Sequence, residues 1–376
     1  MKLTDVVDRI NGNVDRFNTD LEYYIGGEHF ESNELEVTNR GILKENLGKL
    51  GFKFRFAFQD RDVVFMARNP HLRKAGMVRF SGLCSDASYI LRSKDESKIT
   101  QEYLAVMLQS NHFWDYCESH KVGSVNFANN WSSIANYEFD LPSIEKQKEI
   151  SNKVWAAYRL KQAYKKLLAA TDEMVKSQFI EMFSSYQTTP VGNYIEDSYP
   201  GEWGTEDKDG NGVKVIRTTN FTNSGKLDLT DVVTRSISEK KIERKTIRKY
   251  DTILERSGGT TDNPVGRVVL FEEDEQYLCN NFTQVLRFKK VDPIFAFYSL
   301  FYFYHTNKIV VRSMGSKTTG IQNLNMSKYL EIGIPNASDD EQKKFVAIAK
   351  QADKSKFELK QCIENIDKVI KSLING

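Results

Sequence analysis

Side chains with flat hydrogen-bonding heads are concentrated in a few short loops of this chain. In the first half, one loop between two predicted strands contains Arg68, Asn69, His71, Arg73 and Lys74. In the second half, the corresponding residues are Arg217, Thr218, Thr219, Asn220, Arg256, Ser257, Gly259, Thr260, Thr261, Asn280, Asn281 and Lys317. A guanidinium or amide head can form paired hydrogen bonds with a base edge, and glycines let the backbone approach closely. We predict that these residues contact a nucleic acid; the alternative for each one is an ordinary turn residue.

Positive charge is locally concentrated, although the chain as a whole is almost neutral, with a net charge of +2 over 376 residues. Residues 50–92 carry eight Lys or Arg against three acids, and residues 235–249 carry seven against two. One basic surface in each half is what a polyanion-binding protein needs. The alternative for either segment is a solvated charged face.

The sequence contains no recognisable motif for catalysis, cofactor binding or metal binding. Residues 315–318 (GSKT) have the composition of a phosphate loop but lack its Gly-Lys order and the preceding strand. Glu243 and Lys245 have the spacing of a nuclease centre without an upstream Pro-Asp partner, which favours a surface charge cluster. The five histidines show no metal-ligand spacing, and the four cysteines include no CxxC pair. We therefore predict a non-catalytic chain that binds no cofactor and no metal.

The apolar segments of the chain bear on its location. The N-terminus has no apolar signal segment, and the longest apolar run, residues 294–304, is about half the length of a membrane span. We expect a soluble cytoplasmic protein without membrane contact.

An internal repeat with an offset of 195 residues organises the chain. Gln147-Lys148 recurs as Gln342-Lys343, and Cys84 recurs as Cys279. We predict an α+β fold with two tandem globular domains, residues 1–142 and 186–335, each followed by a long helix, residues 143–185 and 336–376. Helices are predicted at residues 4–10, 99–118 and 293–304, and strands at 52–58, 63–67, 76–80, 87–91, 213–218, 252–255, 266–271 and 284–288. The repeat implies a pseudo-two-fold symmetric molecule.

A heptad pattern follows each Gln-Lys pair and predicts that the two long helices form an antiparallel coiled coil. The predicted interface residues of the first helix are Ile150, Ala157, Leu160, Tyr164, Leu167 and Met174. Those of the second helix are Phe345, Ile348, Ala352, Leu359, Cys362, Ile366, Val369 and Leu373. The apolar surface of the first helix is wider than one interface requires, so it could also accept a helix from a partner protein. Alternatively, the globular domains cover the excess.

Several segments resemble the specificity subunits of type I restriction–modification systems. LPSIEKQKEISNKV and KSQFIEMF are similar to the central conserved region of that family. IPNASDDEQKKFVAIAKQAD resembles its C-terminal conserved region, with NASDD in place of the usual Pro-rich leader. The segments similar to its target recognition domains are YYIGGEHFES, RNPHLRKAGMVRFSGLCSDASYILR, GEW at 201–203, KVIRTTNFTNSGKLDL and DTILERSGGTTDNPVGRVVLF. The resemblance covers essentially the whole chain.

This resemblance implies two target recognition domains, each recognising one half of a bipartite double-stranded DNA target. It also implies that the helices act as a spacer and dock two methyltransferase subunits, which restriction subunits then join. S-adenosylmethionine, ATP and Mg²⁺ would be bound by those partners. Alternatives are the specificity subunit of a related type II restriction–methylation system, a self-contained restriction enzyme or fragment, and a coiled-coil adaptor that binds only protein. Salt-sensitive retention on duplex DNA would separate the adaptor from the others.

Overall fold

The computed structural model describes residues 1–260, 262–318 and 321–376, and for residues 317 and 318 the description covers the backbone. The chain divides into two compact units, each with its own apolar cores. Unit 1 comprises Met1–Leu168 and Glu358–Gly376, and unit 2 comprises Ala169–Phe357. In the described residues, no helix has both the length and the apolar character needed to cross a membrane.

Unit 1 contains two four-stranded sheets. Its strands are β1 Val7–Ile10, β2 Tyr23–Ile25, β3 Gly41–Ile42, β4 Phe54–Phe58, β5 Val63–Met66, β6 Ala75–Met77, β7 Gly82–Ser85 and β8 Ser88–Ser93. Its short helices are α1 Leu3–Val6, α2 Leu43–Asn46, α3 Gln101–Met107, α4 Asn111–Ser119 and α5 Trp131–Ala135, with 3-10 turns at Gly27–His29 and Pro70–Leu72. The sheet orders are β1-β8-β5-β6 and β3-β2-β7-β4. The long helix α6, Ile144–Phe183, follows and continues into unit 2.

Unit 2 repeats this plan with additional strands. They are β9 Thr188–Pro190, β10 Ile195–Pro200, β11 Thr205–Glu206, β12 Val213–Ile216, β13 Val233–Ser236, β14 Thr252–Glu255, β15 Ser257–Gly258, β16 Val268–Leu270, β17 Tyr277–Cys279, β18 Thr283–Phe288, β19 Gly315–Thr318, β20 Ile321–Leu324 and β21 Gly333–Pro335. The helices are α7 Glu239–Lys245, α8 Pro293–Thr306, α9 Lys308–Ser313, α10 Met326–Leu330 and the long α11 Asp339–Asn375, and 3-10 turns lie at Val191–Tyr194 and Thr218–Asn220.

The order of the sheets shows the internal repeat directly. The order β10-β18-β14-β16 matches β1-β8-β5-β6, and β13-β12-β17 matches β3-β2-β7. In both units the second of these sheets contains one parallel pair, with Ile25 opposite Cys84 and Ile216 opposite Cys279. Each repeated cysteine lies in the last residue pair of this parallel ladder and is a small, fully buried residue.

Two predicted helices need correction. The helix predicted at residues 4–10 ends at Val6, because the next four residues pair with β8 as the antiparallel strand β1. The helix predicted at residues 99–118 is divided into α3 and α4. The break lies at Ser110, whose hydroxyl accepts a hydrogen bond from the amide of Phe113 at 3.2 Å and so caps the start of α4.

The long helices α6 and α11 pack against each other in opposite directions within each unit. In unit 2, Asp172 pairs with Lys356 at 2.8 Å, and the ring of Phe179 lies 5.1 Å from that of Phe345. In unit 1, Lys161 pairs with Asp367 at 2.7 Å. Ile150, further towards the N-terminus of α6, lines a cleft together with Leu373, further towards the C-terminus of α11. Supercoiling of the pair as a coiled coil stays a prediction.

About half of the buried positions of these helices lie one residue after a predicted position, whereas Phe345 and Ala352 are buried as predicted. The residues below 9% exposure are Gln147, Ser151, Val154, Trp155, Tyr158, Lys161, Val175, Phe179 and Phe183 on α6, and Gln342, Phe345, Val346, Ala349, Ala352 and Ile370 on α11. Of the predicted interface, Leu160, Leu167, Met174 and Val369 are 45–51% exposed, and Cys362 is exposed as well, which corrects its predicted core position. The remaining predicted positions, Ile150, Ala157, Tyr164, Ile348, Leu359, Ile366 and Leu373, are half-buried.

The displaced register has a physical cause. The contact between the two helices includes a largely buried lysine in each unit, Lys161 of α6 and Lys356 of α11, and each lysine pairs with a more exposed aspartate of the other helix, Asp367 or Asp172. A search for apolar heptads therefore selects the neighbouring stripe, because paired charges do not count as apolar. The exposed apolar residues of that stripe remain a predicted surface for a partner.

Candidate nucleic-acid interface

Four segments come together in each unit, and we name them by their position in the repeat. Loop A follows the strand β2 or β12 (residues 26–30 and 217–221). Loop B connects β5 to β6 or β14 to β16 (residues 67–74 and 256–267). Turn C precedes β8 or β18 (residues 85–87 and 280–282), and hairpin D precedes α5 or α10 (residues 121–129 and 315–324). Residues 261, 319 and 320 of these segments lie outside the described residues.

Backbone hydrogen bonds join loop B of unit 1 to turn C and hairpin D. The amide of Ala67 donates to the carbonyl oxygen of Ala87 at 2.8 Å, and the amide of Asn129 donates to the carbonyl oxygen of Ala67 at 2.9 Å. The ammonium group of Lys74 donates to the carbonyl oxygen of Gly27 at 2.7 Å. Lys74 therefore ties loop B to loop A instead of projecting into solvent.

The same bonds recur in unit 2. The amide of Arg256 donates to the carbonyl oxygen of Phe282 at 2.9 Å, and the amide of Leu324 donates to that of Arg256 at 2.8 Å. Arg267 takes the role of Lys74, since its guanidinium donates to the carbonyl oxygen of Thr218 at 3.4 Å. Arg267 also pairs with the buried carboxylate of Glu255 at 2.6 Å. The loops of each unit are therefore held by the same pattern of hydrogen bonds, and we call this pattern the frame of the unit.

Loop A is a 3-10 turn held by the side chain of its fourth residue. The amide of Gly26 donates to Nδ1 of His29 at 2.9 Å, and the amide of Arg217 donates to Oδ1 of Asn220 at 2.8 Å. Asn220 is 3% exposed and donates to two backbone carbonyl oxygens, so it shapes the loop. Arg217 donates to the carboxylate of Asp231 at 3.0 Å, while Thr219 is exposed.

The predicted residues of loop B in unit 1 have different environments. Arg68 and His71 are exposed, and the Arg68 side chain has no hydrogen bond or ion pair within the described parts of the chain. Asn69 and Arg73 both have positive φ, 53° and 48°, which gives the loop its tight shape. Arg73 donates to Oδ1 of Asn111 at 2.7 Å. Arg68 and His71 are thus the side chains best placed for an external ligand.

In loop B of unit 2, Arg256 is half-exposed and has no side-chain partner among the residues that the structure describes. Ser257 is buried and donates to Oδ1 of Asn323 at 2.7 Å, which ties the loop to hairpin D. Gly259 has φ +66°, and a Cβ there would lie 2.8 Å from the amide nitrogen of Val265, so this position requires glycine. Thr260 is exposed at the end of the described part of this loop, and Thr261 lies outside the described residues.

Turn C and hairpin D complete the site in unit 2. Asn280 is 7% exposed. Its backbone amide donates to the carbonyl oxygen of Ile216 at 2.9 Å, which holds turn C beside the start of loop A. Asn281 is exposed at the same turn. Lys317 lies in β19, which joins β20 and β15 in a three-stranded sheet. The structure describes only the backbone of Lys317, so its contact with a nucleic acid stays a prediction.

The chemistry of this site is hydrogen bonding on a rigid frame. Within the described ranges, no group of His, Cys, Asp or Glu side chains could hold a metal ion. Burial raises the pKa of Cys84 to about 12 and that of Cys279 to about 11, so neither thiol is a nucleophile near neutral pH. The exposed heads of Arg68, His71 and Arg256 can donate to a base edge or a phosphate.

Sequence reasoning missed two parts of the site. Loop A of unit 1, GGEHF, corresponds to RTTNF in unit 2 at an offset of 191 residues, so it does not align at the main offset of 195. Arg267, the counterpart of Lys74, was not predicted either. The aromatic residue that ends each loop A, Phe30 or Phe221, is buried and would have been the signal for this alignment.

Comparisons with known proteins agree with this repeat. The family model described as the type I restriction modification DNA specificity domain matches residues 1–168 and 197–368. A solved structure concerned with complex assembly and conformational transition of the type I R-M system is 16% identical, with a TM-score of 0.57, and the match covers 100% of this chain and 95% of that one. A type I restriction–modification S subunit from M. genitalium is 13% identical, with a TM-score of 0.57 and coverage of 99% and 95%.

These comparisons confirm the predicted α+β fold of two tandem domains with long helices. At such low identities the solved structures establish the fold, whereas the family follows from the model that matches both parts of the chain. The comparison with curated protein sequences gave no match.

Proposed function

The chain belongs to the family of type I restriction–modification DNA specificity domains, and from this premise we propose that it recognises a bipartite double-stranded DNA target, with one half-site for each unit. The observation that carries the proposal is the repeated frame of four loop segments. Arg68 and His71 are exposed on the frame of unit 1, whereas Thr219, Arg256 and Asn281 are accessible on that of unit 2. One frame with two sets of side chains suits recognition of two different short sequences.

The proposed division of labour follows the predicted boundaries. Residues 1–142 and 186–335 recognise DNA, while residues 143–185 and 336–376 form a helical spacer that docks two methyltransferase subunits. Leu160, Met174 and Val369 support this docking role because they are large apolar side chains, 45%, 45% and 51% exposed, on these helices. Restriction subunits would join through the methyltransferases.

Catalysis is proposed to belong to the partners, which would bind S-adenosylmethionine, ATP and Mg²⁺. This proposal is supported by the exposed side chains of the loops, such as Arg68, His71 and Arg256, which are suited to hydrogen bonding with DNA. The chain would then act by placing a methyltransferase at a chosen sequence. The isolated chain should transfer no methyl group from labelled S-adenosylmethionine to DNA, whereas the chain assembled with methyltransferase subunits should do so. Transfer by the isolated chain would contradict this division.

The decisive experiment maps methylation by the assembled complex on a random duplex library. We expect Arg68→Ala to relax the first half-site and Arg256→Ala to relax the second, each by about 1–3 kcal/mol of discrimination, because a base-contacting arginine acts at one position. Arg55→Ala is the matched control, since Arg55 is an exposed arginine of β4 outside the four loop segments and the long helices. If both loop variants changed the same half-site, the assignment of one half-site to each unit would be wrong. Uniform weakening with a flatter salt dependence would instead identify phosphate contacts.

A further inference from the structure

Loop A of unit 1 contains an exposed acidic residue that the sequence patterns did not single out. Glu28 is the middle residue of the 3-10 turn Gly27–His29, and its side chain is 65% exposed. Thr219 is the middle residue of the equivalent turn Thr218–Asn220 and is also exposed. Because both turns are tied to loop B through their first residues, Glu28 and Thr219 occupy the same position on the two frames.

Glu28 has no cationic partner within the described residues. The nearest basic atom is Nδ1 of His29, at 3.5 Å from its carboxylate. This atom accepts a hydrogen bond from the amide of Gly26 at 2.9 Å, so it is engaged with the backbone and not with the carboxylate of Glu28. The other carboxylate of the four segments in unit 1, Asp86, pairs with Lys53 at 3.1 Å.

An unpaired carboxylate is unfavourable at a surface that meets DNA, because the phosphates repel it. The repulsion is offset when the carboxylate accepts a hydrogen bond from a base. The exocyclic amino groups of cytosine and adenine are the major-groove donors that a glutamate can accept from. A carboxylate at this position therefore rejects bases that present only acceptors there.

We propose that Glu28 is a specificity-determining residue that accepts a hydrogen bond from the exocyclic amino group of a cytosine or adenine in the first half-site. Thr219 takes the equivalent position for the second half-site. This inference rests on the proposed function, in which unit 1 recognises one half of the target.

Gly26 leaves room for the Glu28 carboxylate to lie against the backbone of loop A. An ideal Cβ at Gly26 would lie 2.5 Å from Oε2 of Glu28, so the carboxylate folds back over the glycine in the free chain. Its high exposure leaves it able to rotate outwards towards a base. The turn itself stays fixed by the bonds from Gly26 to His29 and from Lys74 to Gly27.

The test uses the full chain assembled with its methyltransferase subunits and a library of duplexes that carry the mapped target with single base-pair changes. We expect Glu28→Ala to lower discrimination at one cytosine- or adenine-containing position of the first half-site by about 5- to 150-fold, with the second half-site unchanged. The identity of the relaxed base pair distinguishes cytosine from adenine. Thr219→Ala should affect one position of the second half-site. Glu31→Ala is the control, because Glu31 is a nearby exposed carboxylate that lies 3.6 Å from Lys165.

Three results would overturn the inference. Unchanged base preference in Glu28→Ala would exclude a base contact. Equally increased methylation of every duplex would show that Glu28 only repels phosphates. Relaxation at several positions together would show that the substitution disturbs the loop. If the unchanged complex methylates no bipartite target at all, the proposed function fails, and the inference fails with it.

Discussion

The two units attach their recognition loops to the long helices with the same kind of charge chain, but the charges are distributed differently. In unit 1, Glu34 lies shortly after loop A and pairs with Lys161 of α6 at 2.9 Å, which in turn pairs with Asp367 of α11. In unit 2, Lys226 lies shortly after loop A and pairs with Asp353 of α11 at 2.8 Å, beside the pair of Lys356 with Asp172. The globular part supplies an acid in one unit and a base in the other.

The helix pairs themselves are strictly repeated. Adding 195 converts Lys161 into Lys356 and Asp172 into Asp367, so the pair in unit 1 and the pair in unit 2 consist of equivalent residues. The ion pair between the long helices is therefore the same in both units, whereas the charge that each globular part places against the helices differs. After an exchange of the two globular parts, Glu34 would still face a lysine, because Lys356 is equivalent to Lys161, but Asp353 would stand in the position of Tyr158 and its carboxylate would repel that of Glu34. Each globular part is matched to its own helix segment.

A second repeated device explains why the Gln-Lys pair stands out in the sequence. The buried amide of Gln147 accepts from the amide of Thr100 at 3.1 Å and donates to the carbonyl oxygen of Lys98 at 2.8 Å. Gln342 accepts from the backbone amide of Asp292 at 2.8 Å and donates to the carbonyl oxygen of Ala337 at 2.9 Å. Thr100 and Asp292 cap the helices α3 and α8, so each glutamine connects the start of a long helix to the start of an earlier helix of the same unit.

The largest difference between the units is expected at a third repeated feature, the ion pair that involves the residue just before β5 or β14, at the end of each strand opposite to loop B. Asp251 and Arg287 have side chains 3% and 10% exposed, whereas Asp62 is 1% and its partner Arg92 is 36% exposed. We expect Asp251→Asn to lower the free energy of unfolding by about 3 kcal/mol, because Arg287 then stays buried with only the exposed carboxylate of Asp197, 3.7 Å away, as a counter-charge. Asp62→Asn should cost about 1–2 kcal/mol, because Arg92 can turn to solvent.

Urea unfolding of the full chain at neutral pH measures both values. The asparagine keeps an acceptor for the amide of Arg248 or Gln59, so the comparison isolates the charge. Equal losses in the two variants would show that exposure of the arginine does not decide the cost, and the contrast between the units would not hold at this position.

The sequence predicted the parts of this molecule that local patterns encode. Helix α8 was predicted from the apolar run that follows Pro293, and the repeat was predicted from Gln147 and Gln342. Strands of two or three residues, such as β2 and β3, carry too few side chains for an alternating pattern to emerge. The packed line of the long helices escaped prediction because paired charges such as Lys161 and Asp367 were counted as polar. The roles of Asn220 and Lys74 could not be predicted, since they depend on backbone atoms that are distant in sequence.

An intermediate effect is expected from the two glutamines, and here the units should behave alike. Gln147→Ala and Gln342→Ala should each lower the free energy of unfolding by about 2–3 kcal/mol, because each leaves the amide of a capping residue buried without a partner. Thermal and urea unfolding provide the measurement. Gln178→Ala is the control, since Gln178 of α6 is half-buried and bonds only to Glu181 within the described residues. A large loss in only one unit would mean that the two connections are not equivalent.

The smallest effect is expected from the charge chain of unit 1, and it should depend on pH. Burial raises the pKa of Glu34, but Lys165 and Lys161 lower it by more, so the net pKa lies below the ordinary value of a glutamate. A carboxyl group with a lowered pKa in the folded state stabilises the fold above its unfolded-state pKa of about 4.3 and loses this contribution as the pH falls through its folded-state pKa. Glu34→Gln should therefore lower the free energy of unfolding by about 1 kcal/mol at neutral pH.

The difference between Glu34→Gln and the unchanged chain should shrink as the pH falls below about 4, because the protonated glutamate then resembles glutamine. Urea unfolding at several pH values between neutral and acidic conditions measures this difference, and other carboxyl groups cancel in the subtraction. Glu31→Gln is the matched control, because the Glu31 side chain is 56% exposed and lies 3.6 Å from the same Lys165. A difference that stays constant with pH would assign the contribution of Glu34 to packing. If Glu34→Gln stabilised the chain at neutral pH, desolvation of the carboxylate would outweigh its two lysines, and the charge chain would select the matching helix segment at a net cost in stability.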